Sequence, residues 1–373
     1  MKSTVAVCGL LLLAAVSAEA APAPDAVASL LAAAVAATGE ATLTYDGATA
    51  SGDTITLANV KVATPRGSTA TVPALVISGA AERTGGGFTA THIAFDNGSA
   101  ISRGDTTTWT TAAVDDVVVP SADEVKARAH VRPFAKATVG GVAVSGGDFA
   151  APIAVASFTV DVGPIADGTP TNILFKADGV KLPTALIANS MAGAIVTMLD
   201  YDTVDASIAM DSAYDTKADT VTVNVLSIDA ANVGKLTFTG KASGLSVKGL
   251  TDPAKSKEAR AAAKLDALSV RLDNAGIVER ILDMQAKLLG GTRDDVREQL
   301  VDGALPFALS FVKNVAFRDQ FQKAVEVFLK DPRSLTITFA PAQPVPLGEA
   351  MRTAGHAPTT LPDLLSPSVE ANN

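Results

Sequence analysis

Between about residues 40 and 250, apolar and polar positions alternate with period two in runs separated by Gly-Asp or Asp-Gly turns. This pattern predicts short antiparallel strands with one apolar and one wet face. Within Thr54–Val62, Ile55 and Leu57 share a face; within Ser157–Val162, Phe158, Val160 and Val162 do. Helical spacing interrupts the alternation at Asp25–Ala37, Ala122–Ala129 and Pro183–Leu199. The third of these places Leu186, Ile187, Met191, Ala194, Ile195, Met198 and Leu199 on one stripe, with Pro183 in the first turn. Thr184, Asn189, Ser190, Gly193 and Thr197 line the opposite side. That polar side predicts an amphipathic helix facing a core rather than one spanning a membrane.

From Asp252 the chain becomes helical and charged, and fourteen of its thirty Lys and Arg residues fall between Lys255 and Arg333. A strand-like run, Leu265–Leu272, precedes a helix with Ile277, Ile281, Met284 and Leu288 on its apolar stripe, stopped by Gly290-Gly291. Thr292 with Asp295 forms a capping-box pattern for the next helix, which Pro306 breaks or kinks. A further helix carries Phe317, Phe321, Ala324, Val325 and Phe328 to Asp331-Pro332, and the strand Leu335–Phe339 follows. Six prolines between 341 and 367 predict an extended tail with short helical turns.

These elements predict an α+β protein: an extended, curved antiparallel β-sheet, an embedded amphipathic helix near 183–199 and a helical C-terminal lobe. The expected divisions are residues 1–20, 21–252, 253–340 and 341–373. Strand, glycine-rich turn and strand recur at 41–62, 137–162 and, with a longer connection, 219–238. Duplication and a simple meander of hairpins both produce such a rhythm.

The first twenty residues change the picture. Lys2, the apolar run Val5–Val16 and the small-x-small triplet Ala18-Glu19-Ala20 read as a secretory signal cleaved after Ala20. The run is shorter than the roughly 20 residues of a spanning helix. A periplasmic or secreted location is therefore expected, with no transmembrane segment in the mature chain. Cys8, inside the leader, is the only cysteine, so the mature chain is expected to hold no thiolate metal site and no disulfide. The net charge of −9, with no Lys or Arg block, argues against a nucleic-acid partner.

The candidate chemistry is sparse. His92, His130 and His356 are isolated, and no hydrolase elbow, phosphate loop or dinucleotide fingerprint is present. The acidic run Asp200, Asp202, Asp205, Asp211 and Asp215 lacks the spacing of a calcium loop, because Val204 and the strand-like Ala206–Met210 interrupt it. Gly85-Gly86-Gly87 reads as a hairpin tip. No catalytic residue, metal or cofactor is expected.

The meander Thr220–Ile228 followed by Gly234–Gly240 resembles the repeated strand units of AsmA-like periplasmic proteins of Gram-negative bacteria, over about a third of the chain. The strings Asp273–Arg280, Phe328–Pro332 and Thr338–Pro341 are similar to those of exported Gram-negative proteins without an assigned function. The AsmA-like resemblance implies lipid handling at the envelope, on a curved sheet whose concave apolar face accommodates acyl chains. The expected function is a non-enzymatic exported protein binding a lipid or another apolar ligand, with Leu186, Ile187, Met191, Ile195 and Met198 as the contact residues. The rival expectation is a structural or interaction module of the envelope, with an envelope protein as partner and the apolar face filled by packed side chains. A scattered carboxylate active site is the third.

Overall fold

A computed structural model describes residues 22–127, 132–146, 151–188, 191–247, 249 and 254–373. The expected leader and His130 lie outside the described residues. The chain is α+β, built mainly on antiparallel sheet, with most helices toward the C-terminus.

The sheet starts with β1 (Thr42–Thr44), β2 (Gly47–Ser51) and β3 (Thr54–Ala63), where β1 and β2 both pair with β3. β4 (Thr69–Ser78) joins β3, and β5 (Ala81–Glu82) pairs with β6 (Phe88–Ala94). β6 and β7 (Gly98–Ser102) share the far edge of β4. β8 (Asp105–Trp109) and β9 (Thr111–Val119) continue from them and meet together on β10 (Lys136–Ser145).

From β10 the order follows the chain. β11 (Ile153–Val162) comes next, and β12 (Ile165–Ala166) and β13 (Thr169–Pro170) form a small separate ribbon. The main sheet then runs through β14 (Asn172–Pro183), β15 (Thr203–Asp215), β16 (Thr220–Ala230), β17 (Gly234–Ser243) and β18 (Lys264–Asn274). β18 pairs with β19 (Ser334–Phe339) and β20 (Val345–Pro346), and β21 (Pro367–Ala371) closes on β19.

Directly opposed residues in a sheet share a face. One rung therefore runs Ile55–Ile77–Ile93–Val114–Ala137–Val160–Phe175. It continues Met210–Leu226–Phe238–Val270–Ile337–Val369, with an apolar side chain on every strand. The next rung points to the other face and is polar or small over most of its length: Thr138–Thr159–Lys176–Ala209–Ser227–Thr237–Arg271–Thr336–Glu370. The period-two pattern of each strand thus becomes a two-faced sheet about 60 Å across its strands, at roughly 4.8 Å per strand.

A seam crosses this sheet. Counting along the registers, Asn59, Pro73, Asn97, Thr110, Gly141, Ala156 and Gly179 stand opposite one another on successive rows of strands. Asn59 (φ 48°), Asn97 (53°), Gly141 (62°) and Gly179 (59°) are left-handed, so every second row carries one. Asn and Gly are the residues that accept this conformation most readily. A left-handed residue inside a strand shifts the side-chain alternation, as a bulge does. Apolar positions accordingly step by three across the seam: Leu57 to Val60, Val72 to Leu75, Val139 to Val142, Val155 to Phe158 and Ala177 to Val180. Leu57 and Val60 are both buried in the same core, which confirms that they face one side.

Helix α1 (Pro24–Ala37) covers the first strands and buries Val27 and Ala28 against Ile55, Leu57, Ile77 and Phe88. α2 (Ala122–Lys126) opens with a complete capping box between Ser121 and Glu124. α3 (Met191–Met198) links β14 to β15, and α4 (Ser256–Ala262) precedes β18. The C-terminal lobe holds α5 (Ile277–Leu289), α6 (Arg293–Glu298), a π-helical turn at Gln299–Ala304, α7 (Leu305–Leu309) and α8 (Val315–Lys330). α8 lies along β21. α9 (Leu347–His356) and α10 (Leu361–Leu365) form a small core with Val345.

Two expectations need correction. Of the helix expected over 183–199, Met191–Met198 is helical and Asn189 and Ser190 lie outside the described residues, but its start is not α-helix: Leu182 and Pro183 complete β14, where Pro183 is opposite Thr203, and Thr184–Leu186 form a 3-10 turn. Proline is tolerated there because β11 pairs with β14 only as far as Lys181, so Pro183 has a strand neighbour on the β15 side alone, as on an edge. Residues 341–373 are also more regular than their prolines predict, since they hold α9, α10 and β21. Elsewhere the reading matches: Gly290 caps α5 in left-handed geometry, and Thr292 and Asp295 form the capping box of α6.

Candidate functional site

Elements cover the apolar rung at its two ends. Ile55, Ile77 and Ile93 are buried within the core that α1 closes, and Val369 is buried beside α8. Between these ends no buried hydrophobic cluster forms on β10 to β17 among the described residues. Val160, Phe175, Met210, Phe238 and Val270 are only half-buried. Leu226 is 37% and Ile228 44% exposed. Folding normally removes such side chains from water, each worth about 1.5–3 kcal/mol when fully buried. An apolar run across β10–β18 is therefore left accessible, about 30 Å long at the usual strand spacing.

Beyond the seam a second apolar row, Val142–Val155–Val180–Ala206–Ala230, accompanies it. At the β4–β8 side the face deepens into a cavity of about 270 Å³ lined by Leu43, Val60, Val62, Ala70, Thr71, Val72, Leu75, Phe95 and Trp109. Trp109 lies over Gly98, where a Cβ would collide with the indole ring. Its Nε1–H donates to the Phe95 carbonyl at 2.8 Å, and the two rings meet edge to face at 6.4 Å.

The residues expected to contact ligand belong to the β14–β15 connection rather than to these rows. Leu186 ends the 3-10 turn and Ile187 follows it, both half-buried. Met191 begins α3, while Ile195 (38%) and Met198 (61%) are exposed. The apolar pair Leu182–Val204 leads from the second row toward this connection. Arg280 of α5 stacks over the Tyr201 ring at 4.4 Å and donates to the Leu199 carbonyl at 3.4 Å, which ties α5 to the end of α3. The strand rows and Trp109 escaped sequence reasoning. Their sequence signal was the step of three beside Asn59, Gly141 and Gly179.

Several of the polar groups singled out in the sequence are engaged in structural roles. His92 Nδ1 is 2.7 Å from Asp115 Oδ1 across β6 and β9, on two half-exposed side chains. In the acidic run, Asp211 accepts from Asn224 at the β16 bulge. Asp215 accepts from the Ala218 and Lys217 amides, which hold its carboxyl below the ordinary range. Among the described residues no group of three His, Cys, Asp or Glu side chains could hold a metal. The triple-glycine tip packs onto α2: Gly87 passes against the Val119 carbonyl, where a Cβ would clash. Arg83 grips Glu124 through two hydrogen bonds at 2.8 and 3.1 Å, and this contact holds the Glu124 carboxyl down at about 2. Among the described residues no helix is long and apolar enough to cross a membrane.

A family model described as "Uncharacterized protein" matches residues 227–372, from the middle of β16 to the end of the sheet. No curated protein matches the chain.

Proposed function

We propose that this is an exported, non-enzymatic protein that carries a lipid or similar apolar ligand on the accessible apolar face of β10–β18, in the manner that its AsmA-like resemblance implies. One observation carries the reading: an apolar side chain stands on every strand of the rung from Ile55 to Val369, yet only the two ends of that rung are buried. A sheet with one polar face normally packs its apolar face against a cover. An acyl chain supplies it at about 0.8 kcal/mol per buried methylene. The accessible length of about 30 Å equals the hydrocarbon thickness of a bilayer, which the chains of two leaflets share, so a whole acyl chain fits within it. A curved sheet with its apolar face inward would shelter such a chain, and Leu186, Ile187, Met191, Ile195 and Met198 would flank the end reached by Leu182 and Val204.

The test is organic extraction of the protein purified without detergent from a bacterial periplasm. Stoichiometric lipid in the extract supports the reading. Lipid-free protein that also takes up none from vesicles of envelope lipid rejects it, in favour of a face occupied by a protein partner.

A further inference from the structure

We infer that the cavity beside Trp109 is the seat for the end of one unbranched hydrocarbon chain, the tail of a lipid whose remainder lies along the rows of β10–β18. This rests on the apolar-ligand reading above. The lining is apolar apart from Thr71 and contains no charged group, so nothing there would hold a polar head. Trp109 brings hydrocarbon only, because its one donor is already spent on the Phe95 carbonyl.

The cavity volume, about 270 Å³, falls just under the roughly 300–1,000 Å³ of sites that enclose a whole small ligand. It exceeds the roughly 150 Å³ of a dry apolar cavity that admits benzene. It therefore suits part of a longer ligand. The rest has a path to follow: Thr107 and Thr108 of β8 are opposite Val144 and Ala143, so Trp109 borders Val142, from which the second row continues through Val155 and Val180. Gly98 permits this arrangement, because any side chain there would lift the indole from the sheet.

Trp109 is the chain's single tryptophan, so intrinsic fluorescence reports on this cavity. The full chain is titrated with a long-chain fatty acid brominated near its methyl end, and with the same acid brominated beside its carboxyl. The inference predicts saturable quenching, several-fold stronger for the methyl-end label. Ala70→Leu, which fills the cavity from its half-buried wall, should weaken half-saturation about tenfold, equivalent to about 1.4 kcal/mol. Ala70→Val is the milder variant should the first not fold by circular dichroism. Native mass spectrometry of the same samples separates the two claims. A lipid adduct without quenching, or with equal quenching by both labels, overturns the Trp109 seat and leaves the face reading standing. Absence of both adduct and quenching overturns the two together. Quenching that follows protein rather than lipid concentration would assign the cavity to a second copy of the chain, and would also overturn the inference.

Discussion

Replacing Leu226 and Ile228 together by serine separates an accessible face from a packed core. Both lie on β16 in the middle of the sheet, at 37% and 44% exposure. Full burial of such a side chain is worth about 1.5–3 kcal/mol, so residues that keep roughly 60% of that burial should cost about 1–2 kcal/mol each when made polar. Leu57, fully buried under α1, should cost about 2–5 kcal/mol on truncation to alanine, since cavity formation adds to lost transfer energy. Urea unfolding followed by far-ultraviolet circular dichroism compares the variants. The Leu226→Ser, Ile228→Ser protein should remain folded and lose, per residue, clearly less than Leu57→Ala. Its effect on ligand should be larger. If each side chain touches two methylenes at about 0.8 kcal/mol apiece, lipid binding falls by about 3 kcal/mol, or roughly two hundredfold. A variant that unfolds as readily, per residue, as Leu57→Ala while retaining its lipid would refute the reasoning, because the middle of the face would then be core.

The seam gives a second prediction: Gly179→Ala forces a left-handed alanine whose Cβ meets that of Ala156 at 2.8 Å, and should lower stability by about 1–3 kcal/mol. Gly348→Ala, in α9 with open space around it, should be neutral or stabilising by up to about 1 kcal/mol; equal thermal shifts would remove the special role of the seam. Glu124 has a carboxyl depressed to about 2 by Arg83, against an ordinary value of 4.5. Its contribution is therefore present above pH 4.5 and lost as pH falls toward 2. Arg83→Ala should narrow its stability gap to the parent across that window, and a gap independent of pH would contradict this origin. Thr292→Ala removes the capping box that also holds the Asp295 carboxyl low, so it should cost about 0.5–2 kcal/mol, and nuclear magnetic resonance titration should show the Asp295 pKa rising.

The legible part of this fold was local. Alternation in Thr54–Val62 and Ser157–Val162 marked strands with a wet face, and Thr292, Asp295 and Gly290 marked helix ends, because those signals depend on neighbours in sequence. The continuous rung was not legible, since it depends on the registers of many strand pairs and no single strand encodes them. The seam was hidden for another reason: Asn59, Gly141 and Gly179 resemble turn residues, but here they lie inside strands without ending them. The uncharged run from Leu182 to Leu199 satisfied helical spacing, yet cross-strand pairing of Leu182 and Pro183 with Val204 and Thr203 outweighed local propensity at its start. Trp109 carried no motif at all; its place over Gly98 is a product of strand pairing.

The most direct test of the account is native mass spectrometry of the protein purified from a periplasm without detergent. The account predicts an adduct of lipid mass that disappears on organic extraction and returns when envelope-lipid vesicles are added. A bare chain before and after incubation with those vesicles would contradict it.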